Sequence, residues 1–373
     1  MITAKISSIL SFWGAKLFRI LDYRPNFGTF SAGFEVFFDS EVSEVVQMPK
    51  DAYFGYNSIH KQWFLPSMTS ISTFEPAKKV NLALFNPNFG ENVGKKAKDN
   101  FYFYDFQSCL DFLENNLPEF AIFQTELEVV SLLNNATDYV RDGFNQVSKD
   151  RLIYKLQDLG YQAYLVVIDE AGYGIPLHRS FAFYIATPID FELRIPKPLF
   201  TATGRGSYSK YRTVAEAIGD LGRMGNWVEY ECEAQNSYQK LLRNEGGRVT
   251  WHHPPNIKES SKEKIASIKQ GSNNNTKVPK SRSKGYNRAK WDSICRCMDT
   301  QFYLVSSRLG DSIHPIANRP FTIREGCRIH GLPDSLSFDL KTPRKSVAKM
   351  IHNSVAPAIG TVLGLALGLE LYP

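Results

Sequence analysis

The chain has few cysteines, and their spacing excludes the sites that cysteine usually builds. Its 373 residues include only five, at Cys109, Cys232, Cys295, Cys297 and Cys327. This set is too small for a disulfide framework, and its one close pair has no second pair to complete a zinc site. We therefore expect no metal site and interpret His252 and His253 as polar loop residues. Cysteine usage of this kind favours a reducing, cytoplasmic compartment.

The chain also lacks an apolar run long enough to span a membrane. Its most apolar segment, residues 355–369, contains three glycines and a proline and is shorter than the roughly 20 residues that a span needs. Residues 6–15 could be the core of a signal peptide, but they have no small-x-small cleavage site. We predict that residues 355–369 form a helix packed on a sheet and that residues 6–15 form a buried strand. We also predict that the chain does not bind a membrane.

Neither sign of charge dominates. The chain has 44 basic and 38 acidic residues, a net charge of +6, which permits a nucleic-acid partner without requiring one. Hydrophobic residues make up 43% of the chain. This is enough for one large domain with a sizeable core and a smaller domain.

The first roughly 200 residues alternate short apolar runs with amphipathic stretches. The runs read as strands buried on both faces, and the stretches read as helices. Such alternation is typical of an α/β protein with a doubly wound parallel sheet. The predicted strands are Ile6–Phe12, Phe34–Phe38, Val80–Phe85, Phe120–Phe123, Tyr164–Ile168 and Phe181–Ala186, and the predicted helices are Asp105–Asn115 and Val147–Leu159.

The composition changes after Pro188. Residues 256–290 are polar and of low complexity, which is typical of a mobile loop. From Lys277 to Lys290 they hold six basic residues and no acidic one, so this loop could lie along phosphates. Helical apolar patterning returns near the C-terminus. We predict a large domain of residues 1–197 and 335–373, interrupted by a small domain of residues 198–334.

Two motifs near the C-terminus are the most specific signal. Residues 319–334 read RPFTIREGCRIHGLPD, and residues 352–357 read HNSVAP. In this order and spacing they resemble the ninth and tenth motifs of bacterial DNA cytosine-5 methyltransferases. Residues 173–179 resemble the eighth motif, and residues 213–221 resemble the target-recognition region. The resemblance implies a Rossmann-like class I methyltransferase sheet, a smaller target-recognition domain inserted before the C-terminal helix, and DNA held between the two.

The resemblance also assigns catalytic positions, and at these positions the chain lacks the cysteine and the glutamate of the family. In the family a cysteine thiolate attacks a cytosine flipped out of the duplex, a glutamate assists at N3, and the methyl group comes from S-adenosylmethionine. Asn88 stands at the cysteine position, and an amide has no ionisable form that could replace a thiolate. Gln124 stands at the glutamate position, with Glu126 two residues further on the same side of a strand. Arg179 is retained from the eighth motif, where Phe181 replaces a second arginine.

The cofactor positions are altered in the same way. The turn after the predicted first strand reads FWGAK, so Lys16 stands where a glycine is expected, and His352 replaces a glycine before the tenth motif. Glu41 could hold the ribose hydroxyls, and Ser58 stands where an acid would meet the adenine amine. We therefore expect S-adenosylmethionine to bind weakly or not at all. The candidate contacts are Phe12, Gly14, Glu41, Ser58, Asn353, Ser354 and Val355.

Basic residues remain on the side that the resemblance assigns to DNA. Some lie in the loop that closes over DNA in relatives, some open the small domain, and some lie in the basic loop. They predict that the chain binds double-stranded DNA mainly through phosphates. The candidate contacts are Lys95, Lys96, Lys98, Arg205, Lys210, Arg212, Lys277, Lys280, Arg282, Lys284 and Arg288.

Together these features predict a methyltransferase-like, catalytically silent protein that binds duplex DNA. It would act as a recognition or regulatory partner of an active methyltransferase or a restriction subunit. One alternative is a divergent cytosine-5 methyltransferase that uses S-adenosylmethionine and is completed by a second subunit. Another is a scaffold that no longer binds DNA. The enzyme needs a thiol beside the flipped-base pocket, whereas the binder needs only an intact basic cleft.

Overall fold

A six-stranded sheet forms the centre of the molecule. The computed structural model describes residues 17–37, 39–61, 64, 66–87, 101–126, 147–222, 224–272, 287–305 and 310–369. The order across the sheet is β2-β1-β3-β4-β6-β5, in which β1 to β4 are parallel and β6 runs antiparallel to β4 and β5. The strands are β1 (Phe18–Tyr23), β2 (Ser40–Val46), β3 (Leu82–Phe85), β4 (Phe120–Glu126), β5 (Gln162–Asp169) and β6 (Ser180–Thr187).

Helices cover both faces of this sheet. Because side chains alternate along a strand, neighbouring residues enter different cores. Ile20 and Leu84 pack with Leu363 on one face, whereas Leu21 and Phe85 pack on the other. This two-sided burial confirms the predicted Rossmann-like α/β class. The helices of this unit are α1 (Thr29–Ala32), α2 (Tyr53–His60), α3 (Phe101–Asn116) and α4 (Val147–Asp158), joined at the end of the chain by α9 (Arg344–Asn353) and α10 (Pro357–Ala366).

The start of the sheet differs from the sequence prediction. The segment predicted as the first strand, Ile6–Phe12, lies outside the described residues. Phe34–Phe38 was wrong as a strand, because residues 33–36 form turns after α1 and β2 begins only at Ser40. Phe34 and Phe37 are fully buried, and apolar periodicity alone cannot separate a buried turn from a short buried strand.

The far edge of the sheet also differs. Tyr164–Ile168 does form a strand within β5. Among the described strands β5 pairs only with β6, and Leu165 and Val167 are exposed. The strand is therefore not buried on both faces. The prediction missed this because nothing in a run of apolar residues marks it as an edge strand. The predicted strands at β3, β4 and β6 are confirmed, as are the predicted helices at α3 and α4.

Between β6 and the last two helices the chain forms short elements around buried arginines, and we refer to residues 198–334 as the smaller unit. Arg328 is fully buried and forms ion pairs with Asp334 (2.5 Å) and Asp220 (3.3 Å). Its helix begins at a capping box between Thr322 and Glu325. The elements are β7 (Phe200–Thr201), β8 (Ser209–Lys210), α5 (Val214–Ile218), β9 (Val228–Glu229), α6 (Ser237–Leu242), β10 (Arg248–Val249), α7 (Glu259–Ala266) and α8 (Ile323–Ile329).

The apolar C-terminal segment is a short helix inside the fold, as predicted. Helix α10 lies so close to α1 that a Cβ on Gly33 would sit 2.8 Å from the Gly360 Cα atom. Thr361 donates a hydrogen bond to the Gly33 carbonyl (2.9 Å). Among the described helices, none has both the length and the apolar content of a membrane span.

Candidate functional site

A cleft opens where β1, β3 and β4 end. The carboxyl ends of parallel strands form the usual ligand crevice of such sheets, and here the turn before α10 closes its far side. The lining residues are Asp22, Pro25, Asn26, Gly28, Thr29, Phe30, Leu84, Phe85, Asn86, Gln124, Ser354 and Val355.

The turn after the first described strand spans residues 24–28, and not the predicted residues 12–16. Phe12 and Gly14 lie outside the described residues. Gly28 starts α1 with φ +68°, and a Cβ there would lie 2.5 Å from the Tyr56 ring. Glycine is therefore required at this point by backbone conformation and by packing. The spacing of Gly28 and Gly33 is the sequence signal that could have located this turn.

Three side chains bridge the cleft to the chain before α10. The Asn26 and Gln124 amides both donate to the Asn353 carbonyl, at 2.9 and 3.3 Å. The Thr29 hydroxyl donates to the Val355 carbonyl at 2.7 Å. A carbonyl oxygen has two lone pairs, so that of Asn353 is saturated by the protein itself.

The one carboxylate among the described lining residues is also occupied. Asp22 accepts hydrogen bonds from Ser31 and from the Tyr56 hydroxyl, the latter at 3.1 Å. The Ser31 hydroxyl also lies 3.4 Å from a ring nitrogen of His60. Burial raises the pKa of Asp22 to about 6. This group is committed to the interior and is not available to ribose hydroxyls.

Two predicted cofactor contacts lie elsewhere. Glu41 is at the amino end of β2, about 16 Å from the carboxyl edge at 3.3 Å per residue, and faces Arg19 at 3.9 Å. Gln47 follows the carboxyl end of that strand and accepts from Arg24 (3.0 Å). Ser58 lies within α2, where its hydroxyl donates to the Gly55 carbonyl (2.7 Å). Both predictions were wrong because they depended on a first strand placed too early.

The described lining residues offer few free polar groups to S-adenosylmethionine, the cofactor that the resemblance implies. Of the predicted contacts, Ser354 and Val355 line the cleft, and Asn353 contributes a carbonyl that is already bonded twice. No described lining residue offers an unoccupied carboxylate for the ribose.

The catalytic positions are only partly described. Asn88 lies outside the described residues, one position beyond Pro87. Gln124 is buried on β4 and lines the cleft, while the backbone of Glu126 pairs with Phe181 at the end of the same strand. No cysteine of the described residues lines the cleft.

The three buried cysteines are unsuited to nucleophilic chemistry. Cys109, Cys295 and Cys327 are fully buried. Burial raises the pKa of the Cys327 thiol to about 12 and that of Cys295 well above its ordinary value. A thiol that stays protonated is neither a nucleophile nor a metal ligand, and the described residues hold no cluster of metal-binding side chains.

Arg179 contacts a carboxylate, two backbone carbonyls and a phenylalanine ring of the protein. Its guanidinium donates to Glu170 (2.8 Å) and to the carbonyls of His352 and Ser354 (2.5 Å each), and it stacks on the Phe181 ring at 4.5 Å. Burial raises the pKa of Glu170, and the charge of Arg179 opposes that shift. The retained arginine thus fixes the turn between α9 and α10.

The predicted DNA contacts fall into three groups. The predicted DNA contact at Arg288 was wrong, because this residue is 3% exposed and its guanidinium donates to the Ile265 and His314 carbonyls at 2.8 and 3.2 Å. Arg205 and Lys210 are exposed, at the turn between β7 and β8 and within β8 itself. Apart from Arg212, the remaining seven lie outside the described residues: Lys95, Lys96, Lys98, Lys277, Lys280, Arg282 and Lys284.

Arg212 is also held by the protein. Its guanidinium lies between the Phe200 and Tyr238 rings, 5.1 Å from each, and pairs with Glu216 at 3.6 Å. Only 18% of its side chain is exposed. The sequence alone does not show whether a charged side chain contacts solvent, a phosphate or other residues of the protein. Arg212 mainly contacts other residues of the protein.

His252 lies in the segment between β10 and α7, as expected of a loop residue, but it is buried and does not lie at the surface. It is 1% exposed, and a ring nitrogen lies 3.0 Å from the Thr322 hydroxyl at the start of α8. Burial lowers its pKa.

Comparison with known proteins agrees with this architecture. The family model for C-5 cytosine-specific DNA methylases matches residues 132–368. The type II methyltransferase M.DdeI of Desulfomicrobium norvegicum is 26% identical over 294 residues, which cover 73% of this chain and 67% of that protein. The rice DNA (cytosine-5)-methyltransferase CMT1 is 24% identical over 290 residues, covering 57% of this chain and 27% of the rice protein, so the match spans about a quarter of the latter.

Solved structures match the fold over nearly the whole chain. An E. coli prophage protein assigned as a DNA modification methyltransferase superposes with a TM-score of 0.69 at 15% identity, covering 94% of this chain and 98% of that one. The S. pombe Dnmt2 methyltransferase gives a TM-score of 0.60 at 15% identity, with the same coverage. At this identity the likeness concerns the fold alone.

Proposed function

Since the matched region takes in more than half of its residues, the chain belongs to the C-5 cytosine-specific DNA methylase family, and we propose that it binds duplex DNA without methylating it. The observation that carries the proposal is the bridged cleft. The side chains of Asn26, Thr29 and Gln124 donate hydrogen bonds to the Asn353 and Val355 carbonyls. The groups that would bind a cofactor and assist at a base hold the fold together instead.

The proposed loss of chemistry extends to the nucleophile and the acid. Asn88 offers an amide where a thiolate is needed. Gln124 can hydrogen-bond a ring nitrogen but has no proton to transfer near neutral pH. Because two steps of the reaction would fail independently, a single restoring substitution should be insufficient.

Covalent capture tests this part of the proposal. We expect no protein–DNA adduct with duplexes that contain 5-fluorocytosine, because no thiolate is available to attack C6. Asn88→Cys alone should also give neither an adduct nor methyl transfer, since Gln124, Phe181 and the bridged cleft remain. Denaturing gel electrophoresis resolves the adduct. An adduct in the wild type, mapped to any cysteine, would establish the alternative of a divergent active enzyme.

Support for DNA binding comes from family and charge. DNA is the substrate of the family, and the chain carries a net charge of +6. Arg205 and Lys210 are exposed at the start of the small unit, and the sequence from Lys277 to Lys290 supplies six further cations. These groups suit phosphates, which fix the position of a protein on a duplex, better than base edges.

Duplex affinity should fall steeply with salt. Each phosphate contact adds about 0.9 to the slope of log affinity against log salt concentration. Replacing Lys277, Lys280, Arg282 and Lys284 with alanine should weaken binding to all sequences alike and flatten that slope. The matched control is Lys78→Ala/Lys79→Ala, because these exposed lysines precede β3 at the edge of the sheet opposite the cleft.

Fluorescence anisotropy across a salt series measures both effects. An equal loss of affinity in the control pair would assign the effect to net charge and not to a defined surface. Absence of duplex binding by the wild type at low salt would leave only the scaffold alternative.

A silent DNA binder of this family would act beside an active protein. We propose that it is a recognition or regulatory partner of a methyltransferase or a restriction subunit. Co-expression with such an enzyme, followed by a methylation assay on their shared target, tests this. An unchanged methylation rate and pattern would reject the partnership.

A further inference from the structure

All the charged residues of one stretch are basic. Residues 193–215 contain five basic residues and no acidic one. Two of the five form ion pairs with neighbouring glutamates. The other three are exposed and have no carboxylate partner among the described residues: Lys197, Arg205 and Lys210. This stretch therefore presents cations to solvent whose charge the described part of the chain leaves unbalanced.

Arg205 lies at the tip of a thin turn, residues 202–208, between β7 and β8. Its two neighbours, Gly204 and Gly206, have φ values of +59° and +68°, which glycine adopts at no steric cost. From residue 202 to residue 207, only Arg205 has a side chain larger than that of threonine. No atom of the described residues lies within 4 Å of the place that a Cβ on Gly206 would take. The turn thus presents one long cation on a slender backbone that stands clear of its surroundings.

The base of the turn is nevertheless fixed by hydrogen bonds. The Ser209 and Tyr211 amides donate to the Leu199 and Thr201 carbonyls, at 2.9 Å each. The Thr201 hydroxyl accepts from the Gly204 amide at 3.0 Å. A backbone that is ordered before binding loses less conformational freedom when a ligand is bound. The turn is therefore a preorganised support for its arginine.

The turn is attached to the edge of the sheet at which the cleft opens. Strand β7 packs on the junction between β5 and β6, where the Leu199 amide donates to the Gly172 carbonyl (2.9 Å) and a Cβ on Gly174 would lie 2.8 Å from the Phe200 ring. Because β5 runs parallel to β4 and ends at this junction, the junction lies at the carboxyl edge. Arg179 joins it to the turn before α10, which closes the cleft.

We propose that the turn between β7 and β8 inserts Arg205 into the minor groove of duplex DNA. This inference rests on the proposed DNA binding and gives Arg205 a contact beyond the phosphates. The minor groove of B-DNA is about 6 Å wide, against about 12 Å for the major groove. A backbone with a single long side chain between two glycines fits the narrower groove, whereas a row of large side chains at the tip would not.

The chemistry of the groove then sets a base preference. Adenine and thymine present only hydrogen-bond acceptors in the minor groove, whereas guanine adds an amino donor. A guanidinium has donors alone, so the guanine amino group repels it. A·T tracts also have a narrower minor groove with a more negative potential, which attracts arginine. The protein therefore prefers A·T-rich duplexes, while Lys210 at the base of the turn contacts a phosphate.

The test measures binding of the full-length wild type to three labelled duplexes of equal length. One is rich in A·T, one is rich in G·C, and the third is the G·C duplex with inosine in place of guanine. Inosine lacks the amino group, so the third duplex combines the minor-groove pattern of A·T with the major-groove pattern of G·C. Fluorescence anisotropy should give about fivefold tighter binding to the A·T and inosine duplexes than to the G·C duplex, the lower end of the usual effect of one base-pair contact.

Substitutions at the turn separate the groove contact from the phosphate contact. Arg205→Ala should abolish the preference, whereas Lys210→Ala should weaken binding to all three duplexes alike. The matched control is Arg194→Ala, which removes an exposed arginine of the same stretch that is paired with Glu192 and should change neither quantity. Thermal melts establish that each variant is folded. Displacement of the wild type from the A·T duplex by distamycin, a minor-groove ligand, decides the matter if Arg205→Ala is not.

Three results would overturn the groove contact and leave DNA binding standing. The first is equal affinity of the wild type for all three duplexes. The second is an inosine duplex that binds as the G·C duplex does, because the contact would then lie in the major groove. The third is an unchanged A·T preference in Arg205→Ala. No duplex binding by the wild type, even at low salt, overturns both this inference and the proposed function.

Discussion

Replacing Arg179 with methionine should lower the free energy of unfolding by about 3–5 kcal/mol, the usual cost of removing one partner of a buried ion pair. Glu170 is fully buried and would lose the cation that it accepts from at 2.8 Å. The carbonyls of His352 and Ser354 would lose their donor in the same step. Methionine keeps the length of the side chain and its contact with Phe181, so the loss is mainly polar.

Urea unfolding followed by tryptophan fluorescence measures this effect. The control is Arg194→Met, which removes an exposed pair with Glu192 and should leave the midpoint unchanged. A second variant, Arg179→Met with Glu170→Met, should be more stable than the single variant, because no buried charge is left unpaired. Equal midpoints for Arg179→Met and the wild type would mean that this arginine does not fix the turn before α10.

The sequence predicts those parts of the fold in which local pattern and burial agree. Strand β4 and helix α3 have unbroken apolar periodicity, and both form where it places them. The edge position of β5 was not predictable, since Leu165 and Val167 look the same in sequence whether or not a neighbour covers them. Pairing partners are decided by the whole sheet and not by the strand.

The site was harder to predict than the fold because its contacts are distant in sequence. Asn26 and Asn353 are separated by 327 positions, and neither residue indicates the other. The charges on Arg288 and Arg212 suggested DNA contacts, but in the structure both guanidinium groups contact other residues of the protein. Motif resemblance located the carbonyls of residues 353–355, whereas only the structure shows that the protein itself occupies them.

That occupation predicts how the protein should respond to the family cofactor. Adding S-adenosylmethionine should leave the unfolding midpoint unchanged. A ligand present at a hundred times its dissociation constant stabilises a folded protein by about 2.7 kcal/mol, a shift that differential scanning fluorimetry detects. Here the Asn26 and Gln124 amides saturate the Asn353 carbonyl, and Asp22 is bonded to Ser31 and Tyr56.

The variant Asn26→Ala tests whether the hydrogen bond from Asn26 to the Asn353 carbonyl stabilises the protein. It removes one hydrogen bond across the cleft and should lower the free energy of unfolding by about 1 kcal/mol, with or without the cofactor. Asn116→Ala is the control, because its amide bonds only to the Phe112 carbonyl within its own helix (3.0 Å). If S-adenosylmethionine raises the wild-type midpoint and calorimetry gives a dissociation constant near micromolar, about −8 kcal/mol, then the bridges open for the ligand. In that case the cleft binds the methyl donor, and this result supports the alternative of a divergent active enzyme.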